Sequence, residues 1–211
     1  MERKRALWLI DAAYLLNSQR QCGENYQFDY RKLREYIERD GAIWHAYYLN
    51  STPNPPSDRQ DAFHTWLRSA PPNGPKIVTE LYQLKRQPVD RAFCETCNEV
   101  VEVRCAPTRQ LATQHPLHKE VQKGVDVGIA TLALVHIAEY NTLILSSGDG
   151  DLLDAVEYVI THGKNFEIVA FAGNTVSTEL QSRADRIYWI NEFAEDVKRA
   201  HQAPRTSRDA T

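Results

Sequence analysis

Residues 123–154, KGVDVGIATLALVHIAEYNTLILSSGDGDLLD, constrain this chain more than any other stretch. An apolar helix pattern runs into a short buried-strand pattern, and an acidic loop then opens a second helix. That order belongs to a parallel sheet, because parallel neighbours need a long crossover and a helix supplies it. Asp126 stands at the start of the first helix, and Asp149 and Asp151 follow the run Thr142-Leu-Ile-Leu-Ser146. Open α/β sheets bind ligands beyond the carboxyl ends of their strands. Aspartates placed there are the hard oxygen donors that Mg²⁺ or Mn²⁺ prefers. Asp154, one turn further on, reads as a solvated helix residue with at most a peripheral role.

The same alternation recurs along the chain. Residues 5–10 (RALWLI) form a short apolar run that ends in Asp11, and residues 12–19 suit a short helix. Asp29 is placed to cap a helix through Arg39, and Gly41 ends it. Residues 42–49 (AIWHAYYL) read as a second strand. Ser57 or Asp58 caps a helix through Arg68, with Ala62, Phe63, Trp66 and Leu67 on its buried side. A third strand lies in residues 76–84, the central helix in 125–140 and a further strand in 166–171. A short helix at 177–184, a strand at 186–190 and a terminal helix at 192–200 complete the pattern. The expected fold class is α/β: a three-layer α/β/α, Rossmann-like sandwich on a mostly parallel sheet. Residues 1–200 are expected to form one domain with an insert at 85–119, and residues 201–211 a disordered tail.

Composition narrows the function classes. The formal net charge is −3, so nucleic-acid binding would need a local basic patch. No run approaches the roughly 18 apolar residues of a membrane span. The basic, apolar start resembles a signal peptide, but Asp11 interrupts the run and no clean cleavage site follows, so a cytoplasmic protein is expected. Cys94, Cys97 and Cys105 lie in the insert, with His115 close behind. With a fourth ligand from His115, His118, His64 or Cys22, His115 being the first choice, they satisfy the donor chemistry of a structural Zn²⁺; the bland reading is free thiols in a hairpin.

If the first strand and the strand at 142–146 are neighbours, Asp11, Asp149 and Asp151 surround one cavity about a strand spacing wide, roughly 5 Å. Carboxylates sharing a tight site disfavour one another's ionisation, and a divalent cation relieves this. It also lowers the pKa of water and stabilises a leaving oxygen, as phosphodiester hydrolysis requires. Gly148 and Gly150 are expected to give the loop positive φ and let substrate approach the backbone. Ser146 and Ser147 are candidate substrate-binding hydroxyls, and Lys123 a phosphate contact.

The opening strand ending in Asp11, KGVDVGIATLAL at 123–134, LSSGDGDL at 145–152 and the later FEIVAF strand together resemble the NYN domain family, the LabA-like branch of PIN-like nuclease folds. The resemblance covers roughly residues 5–192 and implies a divalent-metal-dependent ribonuclease fold acting on RNA, with Asp11, Asp126, Asp149 and Asp151 as its acidic, catalytic and metal-holding positions. The family's usual first motif is Asp-Gly-x-Asn. Here it reads Asp11-Ala12-Ala13-Tyr14, so the asparagine is missing unless Asn17, one turn later and a candidate substrate-binding residue, substitutes for it.

Each sharp reading has a bland counterpart. Asp149 and Asp151 also suit a turn and an N-cap, and Asp126 a first-turn acid favoured by the helix dipole. Lys85, Arg86, Arg91, Arg104, Arg109, His115, His118, Lys119 and Lys123 make the insert basic, either as a backbone-binding patch for single-stranded RNA or as a solvated face. The first functional reading is a Mg²⁺- or Mn²⁺-dependent endoribonuclease. The second is a non-catalytic RNA-binding or protein-interaction module on the same fold, favoured by Tyr14. A metal-dependent phosphatase ranks last, because position 13 is alanine where a second aspartate would be needed. A homodimer is compatible with the pattern, with the insert or the terminal helix as its candidate surface.

Overall fold

The computed structural model describes residues 3–53, 55–108, 115–173 and 175–200. From the amino end the elements are β1 (Arg5–Asp11), α1 (Ala12–Ser18), α2 (Tyr30–Ile37), β2 (Ala42–Thr52), α3 (Asp58–Arg68) and β3 (Val78–Gln83). Four short strands follow: β4 (Lys85–Pro88), β5 (Arg91–Cys94), β6 (Glu99–Glu102) and β7 (His118–Val121). Then come α4 (Val125–Val135), β8 (Thr142–Ser146), α5 (Leu153–Thr161), β9 (Asn165–Ala170), α6 (Thr178–Arg183), β10 (Arg186–Trp189) and a one-turn α7 (Ala194–Val197).

Six strands make the central sheet in the order β10-β9-β8-β1-β2-β3, and every pairing in it is parallel. The chain winds outward from β1 through β2 and β3, then returns to the other side of β1 and winds outward through β8, β9 and β10. The direction reverses between β1 and β8, so their carboxyl ends form the switch point of a doubly wound sheet. The register there sets Ile10 beside Ser146.

Both faces of the sheet are covered, which explains the unbroken apolar strands. Ala6, Trp8 and Ile10 point into a core shared with Leu15, Tyr30, Leu33, Ile37 and Leu67 of α1, α2 and α3. Leu7 and Leu9 point the other way, into a core with Val125, Ile129 and Ala133 of α4 and Val156 and Val159 of α5. Full burial of residues such as Leu7, Leu9 and Ile10 contributes about 1.5–3 kcal/mol each relative to exposure. The caps follow from the sequence. Asp29 accepts from the Arg31 and Lys32 amides, Ser57 and Gln60 form a capping box at α3, and Ser177 caps α6.

Several expectations are revised. The helix expected over 125–140 ends at Val135; it packs on the sheet as expected, but along one side, with Val127 and Val135 each 70% exposed. A single helix layer covers this face of the sheet, so only one side of α4 finds a core; Tyr140 turns back to donate to the Ala133 carbonyl at 2.8 Å. On α3, His64 rather than Ala62 is buried. The terminal helix expected at 192–200 is a short 3₁₀ turn followed by α7. The segment after β3 holds two antiparallel ribbons rather than one hairpin, a stem β4–β7 and a tip β5–β6. The expected tail, 201–211, lies outside the described residues. Among the described residues no helix is long and apolar enough to cross a membrane.

Candidate active site at the carboxyl end of the sheet

Three separate elements deliver the acids to the switch point. Asp11 is the last residue of β1, Asp149 and Asp151 follow β8, and Asp126 lies in the first turn of α4, which packs on β1 and β2. The bland readings hold in part: Asp126 is a first-turn acid and Asp149 caps the turn after β8, but α5 has no side-chain cap, so Asp151 is not an N-cap. One oxygen of Asp11 accepts the Tyr14 backbone N–H at 3.1 Å, and Asp149 Oδ1 accepts that of Asp151 at 3.0 Å. A cap uses one carboxylate oxygen and leaves the charge in place.

The electrostatics tie the acids together. Burial raises the Asp11 carboxyl above its ordinary range; the Tyr14 amide opposes this, and the charges of Asp126 and Asp149 add to it. Asp126 is raised by burial first, then by Asp149 and, more weakly, by Asp151. All four acids thus share one field, and among the described residues none of them forms an ion pair. Nor do any three His, Cys, Asp or Glu side chains among those residues converge as a closed metal-ligand set. This mutually repelling donor set fits a hard divalent ion held in an open manner: Mg²⁺ commonly keeps several waters and takes one or two carboxylates from the protein.

The other expected site residues separate into two groups. Lys123 and Asn17 are exposed, Lys123 directly before the left-handed Gly124 that caps α4. Ser146 and Ser147, by contrast, are fully buried. The expectation that Ser146 presents its hydroxyl to substrate is not met in this structure: its Oγ accepts the indole N–H of Trp8 at 2.9 Å, inside the core. The Ser147 Oγ accepts the Asp149 amide at 3.3 Å and shapes the acidic loop from within.

The loop glycines also work differently from expectation. Gly148 and Gly150 are absent from the positive-φ residues. Gly148 is required sterically, since a Cβ there would lie 1.7 Å from the Thr175 carbonyl oxygen and 2.9 Å from the Tyr14 ring. Tyr14 itself is half-buried, its hydroxyl 3.0 Å from Thr175 Oγ1. Sequence reasoning missed Thr175 and also Tyr82, whose ring meets Gly124 and Gly128 at the start of α4. Neither carries a sequence signal, because each approaches the site only through the packing of a distant element.

The insert's three cysteines and His115 fall into two groups, Cys94 with Cys97 and Cys105 with His115. Cys94 and Cys97 flank the turn at the tip of the β5–β6 ribbon, where the Asn98 amide bonds to the Cys94 carbonyl. Cys105 lies 3.8 Å from His115 Nδ1, and His115 lines a cavity with Val89, Asp90 and Arg91 at the ribbon's base. Arg91 pairs with Glu102 there, and the three residues from Arg91 to Cys94 span roughly 10 Å. The expected set of Cys94, Cys97, Cys105 and His115 is therefore divided between opposite ends of the ribbon.

A doubly wound parallel sheet with an acidic cluster at its switch point defines the class of protein. Residues 5–191 match the model of the NYN domain, and the chain belongs to that family. Membership points to a nuclease-like, RNA-related function. A crystal structure of a protein of unknown function, VPA0982 from Vibrio parahaemolyticus, aligns over 94% of this chain and 100% of its own at TM-score 0.61 and 19% identity, and so shares the fold. A chain from a structure described as "The Structural basis of Sirtuin Substrate Affinity" aligns over 93% of both chains at TM-score 0.42 and 12% identity, too weak a likeness to define a shared fold. Comparison with curated proteins gives no match.

Proposed function

We propose that the protein is a cytoplasmic, divalent-metal-dependent endoribonuclease that hydrolyses phosphodiester bonds in single-stranded RNA. The observation that carries this reading is the mutual repulsion of Asp11, Asp126 and Asp149 at the switch point, in a family with an RNA-related, nuclease-like function. Mg²⁺ or Mn²⁺ would be held directly by one or two of Asp11, Asp126 and Asp149 and through water by the others, with Asp151 at the margin. When bound, the ion supplies positive charge that stabilises a leaving oxygen and lowers the pKa of water.

The chain's own residues do the rest. Asp11 and Asp149 are fixed by their caps, which limits the reorganisation of the donor set. Lys123 and the arm of β4–β7 sit at the same end of the sheet as the acids, because β3 runs on into β4 and β7 leads through Lys123 into α4. Lys85, Arg91, Lys119 and Lys123 can therefore hold an RNA backbone beside the acids. Arg86 and Arg104 are already engaged with Glu120 and Glu102. Arg109 lies outside the described residues.

A second reading, a non-catalytic RNA-binding or protein-interaction module, draws on one observation. Tyr14 fills the position of the family's asparagine and is committed to Thr175 rather than to the acids. Cleavage of a mixed-sequence, single-stranded RNA, measured with Mn²⁺, with chelator, and with Asp149→Asn and Asp126→Asn, separates the two. Metal-dependent cleavage lost in both variants supports the nuclease. If the wild type is as inert as the variants with every divalent metal yet binds RNA, the catalytic reading is wrong.

A further inference from the structure

Among the described residues β5 and β6 pair with each other and with no third strand, and an isolated two-stranded ribbon is marginally stable in water. Phe93 and Val100 are cross-strand partners, so they share one face, and they are 58% and 65% exposed. At its tip, residues 94–98 make a tight turn in which the Asn98 amide bonds to the Cys94 carbonyl at 2.8 Å. Asn98 takes a left-handed conformation, φ 57°. The turn sets the C-x-x-C pair, Cys94 and Cys97, at one end of the ribbon, with Cys97 exposed.

Two cysteines spaced C-x-x-C at a tight turn supply two of the four ligands that a tetrahedral structural zinc site takes. Cys105 and His115 stand at the base of the ribbon, and no third His, Cys, Asp or Glu among the described residues joins Cys94 and Cys97 in a ligand group. A two-fold axis through the tip supplies what is missing. It doubles the ligand count to four, and an isologous contact lets the same exposed residues of both copies, Phe93 and Val100, cover one another.

We propose that Cys94 and Cys97 from two copies of the chain bind one Zn²⁺, joining the arms tip to tip in a homodimer. Each copy releases two thiol protons and contributes two thiolates, giving a four-sulfur site with Zn–S bonds of about 2.3 Å. The apolar contact alone is small; the zinc makes the association specific, and metal supply controls it. Because each arm is rooted beside Asp126, the junction sets two acidic sites on one assembly. The proposal is independent of whether those sites cleave RNA.

The test uses the full chain, purified in reductant with Zn²⁺, and measures bound zinc by elemental analysis and mass by light scattering. The expected result is one zinc per two chains in a dimer that chelator converts to monomer. Cys94→Ser and Cys97→Ser should each abolish both zinc and dimer, whereas Cys105→Ser and His115→Ala should retain both. Co²⁺ substitution should show the intense sulfur-to-metal absorption of four thiolates. Phe93→Ser, which keeps the ligands, should weaken dimerisation at least several-fold. One zinc per monomer that depends on Cys105 or His115 would overturn the proposal. So would a mass unaffected by chelator, or a reduced chain that retains no zinc.

Discussion

The hydroxyl of Tyr14 lies 3.0 Å from Thr175 Oγ1, binding the first turn after β1 to the loop after β9. Thr175 in turn donates to the Phe171 carbonyl, so the tyrosine is the donor of the pair. The acidic loop is clamped beneath them, with Gly148 against both partners. A position that holds asparagine in the family's usual motif here serves to lock the loop carrying Asp149.

Removing that lock tests its structural weight. Tyr14→Phe deletes one part-buried hydrogen bond and should lower unfolding free energy by about 1 kcal/mol. Gly148→Ala drives a methyl into the Thr175 backbone and should destabilise by about 3 kcal/mol or more. Urea unfolding reads both, as a lowered midpoint with an unchanged slope.

Ser146 separates a core role from a substrate role. Ser146→Ala strands the buried Trp8 indole N–H and should reduce stability by about 1–3 kcal/mol. RNA affinity at a temperature well below the transition should stay unchanged. A selective loss of RNA affinity with intact stability would return Ser146 to the substrate.

The acids are expected to oppose folding. Asp11 and Asp126 are both raised above their ordinary value of 3.8. Just above that value the folded chain holds more protons than the unfolded one. Stability therefore falls as pH rises through this window, and the deficit persists at neutral pH. Asp11→Asn, which keeps a competent cap, and Asp126→Asn should each raise the thermal midpoint at pH 7, with the gain shrinking as pH falls toward 4. Mn²⁺ should raise the wild-type midpoint more than that of either variant. Calorimetry across pH, with and without metal, checks all three.

His64 should act in the opposite direction and in a different window. Burial, and then Arg68, lower its pKa below the ordinary 6.5, and its Nδ1 has no partner among the described residues. Below 6.5 the unfolded chain takes up the proton more readily, so stability falls with falling pH. His64→Leu should flatten the stability profile between pH 7 and 5.5; an unchanged slope there would show that His64 does not set it.

The alternation of apolar runs with amphipathic helices, and acids at the ends of two such runs, were determined by the sequence alone. Periodicity and composition depend on neighbours three or four residues away, so β1, β8, the Asp29 and Ser57 caps and the order of elements could be read directly. Which strands adjoin depends on contacts across more than a hundred residues. Only the tertiary structure decided that Ile10 lies beside Ser146, that Asp11, Asp126 and Asp149 share one field, and that the Ser146 hydroxyl belongs to Trp8. It also divided the cysteines. In sequence Cys94, Cys97, Cys105 and His115 have the spacing of a single site, but the pairing of Arg91 with Glu102 holds Cys94 and Cys97 at the opposite end of a ribbon from Cys105 and His115. Spacing along a chain bounds what can meet; the hydrogen-bonded register of the folded chain determines what does.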